Sequence, residues 1–144
     1  MVMSSARSAK QGGWLWDRLG IWLSGICLVH CLLLPITLFL LPLGAMLLTW
    51  HEDVHLAFAL LLVPTTLLAF YQGYRCHHQK RVLGWFGVGL SLVLLASFPG
   101  HDVLGVIGGT AVTMLGSGLL IWGHWQNWRL RAHCDVALAR EEDP

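Results

Sequence analysis

The chain has 144 residues, of which 56% are hydrophobic and only 12% charged, with eight Trp and a formal net charge of +1. Soluble domains carry about 25% charged residues, so this composition argues against a soluble enzyme, a nucleic-acid binder and a disordered tail. A mean hydropathy of +0.62 and four Cys at 27, 31, 76 and 134, too scattered for a secreted disulfide framework, point to a membrane protein.

Charged residues divide the chain. After an N-terminal tail at 1–13, the stretches Leu19–Trp50, Leu56–Tyr74, Val82–Gly100 and Val103–Trp128 contain no Asp, Glu, Lys or Arg. A membrane-spanning helix needs about 20 apolar residues, so each stretch can cross. The expected spans are 18–49, 55–74, 82–99 and 103–128, in one domain at 14–132 followed by a tail at 133–144. The fold class is all-α, an integral membrane four-helix bundle. At 1.5 Å per residue the first stretch would reach ~48 Å against a ~30 Å hydrocarbon core, so a kink near Pro35 and Pro42 is expected. A short second piece near Leu43–Trp50 would take up the excess. The run is too long for a cleaved signal peptide. In the last span Gly105 and Gly109 form a small-xxx-small pair suited to close helix approach.

The basic residues set the orientation. Arg7, Lys10 and Arg18 precede the first span, Arg75, Lys80 and Arg81 lie between the second and third, and Arg129, Arg131 and Arg140 follow the fourth. All nine fall on one side. The positive-inside rule then places both termini in the cytoplasm and the connections at His51–His55 and His101–Asp102 outside. Seven of the eight Trp lie toward the cytoplasmic interface, with Trp50 at the outer one.

Within the first span, Cys27-Leu28-Val29-His30-Cys31 puts two thiols and an imidazole within ~100° of one helix face, with the thiols one turn apart. Cys27 lies ~13 Å beyond Arg18 along the helix, well inside the bilayer. Thiolates select soft cations, and an imidazole widens the choice toward zinc or copper. The plainer reading treats both Cys as small buried hydrophobes and His30 as a satisfied core group. On the outer side His51, Glu52 and His55 face a second set, His101 and Asp102, and together they suit Zn²⁺. His51-Glu52-x-x-His55 also spells the zinc-protease pattern, in which two His bind zinc and the Glu activates water. With no accompanying cleft, the expectation is no enzyme. On the cytoplasmic side Cys76, His77, His78, His133 and Cys134 are candidates to receive an ion, and His124, inside the fourth span, is a candidate to approach Cys27 and His30.

Four spans with both ends inside, a thiol pair in the first helix followed by Pro35, and Cys134 near the C-terminus resemble the MerC mercury transporter family. The resemblance runs from about Leu15 to Cys134 and is most specific over Cys27–Pro35. It implies a multi-pass protein of the bacterial inner membrane that carries Hg²⁺ inward, toward cytoplasmic detoxification. Cys27 and Cys31 would be its membrane thiols and Cys134 its cytoplasmic one. The thiol spacing is one residue longer than the C-x-x-C of the mercury-resistance transporter, and Cys134 stands alone where that transporter has a pair. Zinc, another divalent ion, or a non-transporting metal-binding or sensor role therefore remain alternatives. No obligatory cofactor and no nucleic-acid partner are expected. The expected partners are the metal ion, the bilayer, a cytoplasmic metal acceptor and a second copy of the chain.

Overall fold

The computed structural model describes the backbone of residues 2–40, 44–98 and 100–141, and the side chains of 14–33, 36, 54, 56–98, 103–105, 107–134 and 136. Among the described residues four helices follow one another: α1 (Val2–Leu40), α2 (Gly44–His77), α3 (Lys80–Ser97) and α4 (Gly100–Glu141). In a lipid environment a helix satisfies its own backbone hydrogen bonds, which is why apolar runs of this length adopt it. Among the described residues three segments, Trp14–Leu33, Leu56–His77 and Lys80–Ser97, are long and apolar enough to cross a membrane. The fourth helix carries Thr110, Thr113, Ser117, His124 and Asn127 on its buried side, which lowers its hydropathy.

Helix ends differ from the charge-based reading. α1 continues through Pro35 to Leu40, and Pro42 lies outside the described residues. Gly44–Trp50 is the first part of α2 rather than a second piece of the first span, and His51–His55 continue that helix instead of joining two. The boundary follows Pro42 and Gly44, strong helix punctuators, and not the first charged residues. His101 and Asp102 likewise fall within α4. Between α2 and α3 the chain turns in two residues. His78 takes a positive φ of 51°, its amide donates to the Tyr74 carbonyl at 3.0 Å, and the Gln79 amide donates to His77 Nδ1 at 3.0 Å.

Helices α1 and α4 run antiparallel: Gly20 lies against His124, and Asp17 bonds Asn127. Helices α2 and α4 run parallel, with Thr66 at His124 and Ala69 at Asn127. Ala59, Leu62, Val82, Phe86, Val93 and Leu120 form the apolar core. Large apolar side chains such as Trp22, Leu115 and Ile107 cover the outside, as lipid contact requires.

Of the Gly105 and Gly109 pair, Gly109 is buried, but Gly105 is not a point of close helix approach. Gly105 sits at a non-helical break in α4 (φ 66°, ψ 172°), and a Cβ there would touch nothing within 4 Å. Its value lies in the left-handed φ. The close contact is between Gly89 of α3 and Gly116 of α4, where a Cβ on Gly116 would lie 2.9 Å from the Gly89 carbonyl oxygen. Gly116→Val is expected to lower stability by about 1–3 kcal/mol through overpacking. Gly84→Ala, at a site with open space, should unfold with the wild type. Thermal unfolding of both variants in detergent checks this.

Candidate metal centre

The α1 face that packs inward reads Asp17, Gly20, Ser24, Cys27 and Cys31, and every one is buried. Cys27 and Cys31 are fully buried. Their thiols are hydrogen-bonded to each other, and Cys27 also reaches Ser117 of α4. Two thiols one helical turn apart, closed off from the surface, form a two-sulfur site for a soft ion. His30 does not share their enclosure. It is half-buried, 6.4 Å from the Phe58 ring, and lines a groove of about 600 Å³ with Trp22, Gly25, Ile26, Val29 and Leu33.

Below the thiols the seam becomes ionic. His124 is fully buried against Gly20, where a Cβ would run into the imidazole. Gly20 lies two turns, or ~10 Å, from Cys27 along α1, so His124 is placed away from the thiols it was expected to approach. Its partners are Asp17, with Nδ1 at 3.2 Å from Oδ1, Thr66, with Oγ1 at 3.5 Å from Nε2, and the Phe86 ring at 4.7 Å. Asp17, also fully buried, accepts from Asn127 Nδ2 at 2.9 Å on each carboxylate oxygen. Arg131 Nη1 stands 3.7 Å from Oδ2 as an ion pair. Asn127 is held from α2 as well: Nδ2 donates to the Ala69 carbonyl at 3.1 Å, and His77 Nε2 donates to Oδ1 at 2.9 Å. His77 Nδ1 accepts from the Gln79 amide, so its proton is on Nε2, as the bond to Asn127 needs.

At the basic end of the bundle Cys76 of α2 and Cys134 of α4 are joined as a disulfide, their Cα atoms 6.2 Å apart. Sequence spacing gave no reason to pair them; the parallel packing of α2 and α4 does. His51, Glu52, His55, His101 and Asp102 lie in helical backbone toward the opposite end of the bundle, and their side chains are outside the described residues. Among the described residues no group of three or more His, Cys, Asp or Glu is arranged around one point.

The MerC mercury resistance protein family matches residues 17–129, a stretch that includes the thiol pair, Asp17 and Asn127. The chain belongs to that family. It is therefore a mercury-resistance membrane protein. The match begins at Asp17, the hub of the ionic network, and ends before Cys134. No curated protein and no solved structure matches the chain.

Sequence reading missed Asp17, Asn127, Arg131, Thr66 and Ser117. The signal was present as a repeat: Asp17, Gly20, Ser24, Cys27 and Cys31 alternate intervals of three and four residues, as do Ser117, Leu120, His124, Asn127 and Arg131. That period marks one helix face. Counting Asp17 and Arg131 as flanking charges concealed it.

Proposed function

We propose that the chain carries Hg²⁺ inward across the bacterial inner membrane by exchange between thiols. The observation that carries this reading is the enclosed Cys27–Cys31 pair. Mercury(II) is satisfied by two thiolates in line, whereas structural zinc takes four ligands. A dithiolate also neutralises the dication, so no bare charge enters the hydrocarbon. All four helices cross, with both termini and the basic end in the cytoplasm, as the positive-inside rule gives. His51, Glu52, His55, His101 and Asp102 collect the ion outside, and His30 stands beside the thiols on the groove side.

Delivery ends at Cys76 and Cys134, whose proximity supports a receiving pair in place of two single thiols. In the reducing cytosol the pair is a dithiol. Exchange then balances: two S–Hg bonds to Cys27 and Cys31 break, two to Cys76 and Cys134 form, Cys76 and Cys134 give up two protons, and Cys27 and Cys31 take up two. A cytoplasmic acceptor takes the ion by the same exchange.

Uptake of radiolabelled Hg²⁺ and Zn²⁺ by cells expressing the wild type and Cys27→Ser/Cys31→Ser tests the proposal. Mercury uptake that falls to the level of cells lacking the protein in the variant is the expected result. Mercury uptake at the wild-type rate in the variant would refute it. Zinc uptake that needs His51 and His55 would move the protein to zinc handling. That second reading is favoured by their position one turn apart in α2.

A further inference from the structure

The ionic network of Asp17, His124, Asn127 and Arg131 has no part in holding a soft ion, yet it is buried in a segment where ionisable groups are costly. Its hydrogen bonds give it a direction. Asp17 accepts at His124 Nδ1, which fixes the proton on that nitrogen and leaves the Nε2 lone pair toward Thr66. Arg131 and Asn127 meet the Asp17 carboxylate from the other side. A proton taken on Nε2 would form the imidazole cation beside that carboxylate, the arrangement of hydrolase triads. Between this base and the thiols lies Ser24, fully buried with a hydroxyl oxygen that finds no hydrogen-bond partner, and Ser117, fully buried, stands at Cys27. They are stepping points for a proton in an otherwise apolar interval.

We propose that His124, held by Asp17, is a proton-binding site that takes one of the two protons displaced when an ion binds Cys27 and Cys31. This rests on the thiol-pair reading above. With mercuric chloride the step balances: two S–H and two Hg–Cl bonds break, two S–Hg bonds form, and two chlorides and two protons leave. One proton rests on His124 Nε2, and the other goes to solution. On release, the His124 proton returns to one Cys thiolate. The other thiolate is reprotonated by the receiving dithiol, whose second proton leaves to the cytoplasm. The groups that face His124 are Asp17 from α1, Thr66 from α2, Phe86 from α3 and, within α4 and through Asp17, Arg131; His77 reaches the network through Asn127.

The test counts protons. Full-length protein carrying Cys76→Ala/Cys134→Ala, so that one thiol pair remains, is titrated in detergent with mercuric chloride in weak buffer containing a pH indicator. At pH 8 about one proton per bound ion is expected in solution, and about two in His124→Gln. Two protons per ion at pH 8 in the protein with native His124 overturns the proposal, and needs no substitution at His124. A retained proton that survives in His124→Gln but is lost in His30→Gln also overturns it, because the base is then His30. If Cys27→Ser/Cys31→Ser binds mercury as well as its parent, the thiol-pair reading itself fails. Tight, thiol-dependent binding with two protons released removes only the proton site.

Discussion

Cys27→Ser alone is expected to weaken mercuric ion binding by more than about 100-fold, since changes to mere supporting groups around a metal site already cost 10–100-fold. Cys31→Ser should do the same, and the double variant should be no worse than either single one. The two thiols lie one turn apart on a buried face and are hydrogen-bonded to each other. They act on one ion, and groups that act as a unit are not additive. Competition against a chromogenic dithiol chelator, with the full chain in detergent, measures all three variants. Two independent moderate losses that multiply in the double variant would mean that each sulfur binds a separate ion.

Asp17→Ala is expected to cost about 3–5 kcal/mol of stability, the penalty for removing one member of a buried charged pair. The change strips the partners of His124 Nδ1, of Asn127 Nδ2 and of Arg131, all buried. Asp17→Asn should cost less, because an amide oxygen still accepts while the charge on Arg131 goes unanswered. Denaturant titration in mixed micelles, following Trp fluorescence, reads both. An unaltered midpoint for Asp17→Ala would show that the carboxylate contributes no net stability. Its place in the bundle would then reflect function alone.

Composition and the spacing of charges made the helical, membrane-embedded character of the chain legible, and Cys27 and Cys31 stood out because two thiols one turn apart are rare in such a segment. Helix ends were less legible. The stretch 51–55 carries four ionisable residues and reads as a connection, but helices need not end where charge begins, and α2 runs through it. Gly105 and Gly109 had the spacing of a packing pair, but Gly105 sits at a left-handed break in α4, while Gly89 and Gly116, which come into close contact, are on two different helices and show no motif in one dimension. Cys76 with Cys134 and Asp17 with Asn127 are likewise contacts between distant segments, set by helix register. His30 shows the limit of a helical wheel: it shares an arc with the thiols, yet the ~100° that separate it from Cys31 carry it from the seam to the groove.

The Asp17–Asn127 contact joins residues 110 apart in the chain. At 5–20 residues per second, Asn127 leaves the ribosome roughly 5–20 s after Asp17. For that interval the first helix is in place while its carboxylate has neither Asn127 nor Arg131 to meet it. An early docking of α1 on α2 alone would leave that charge without its α4 partners, which favours a bundle that stays open on that side until α4 is made. Closure of the bundle is thereby tied to the synthesis of α4, and a chain truncated before Asn127 would reach the membrane with its first helix unlatched and open to removal by quality-control proteases.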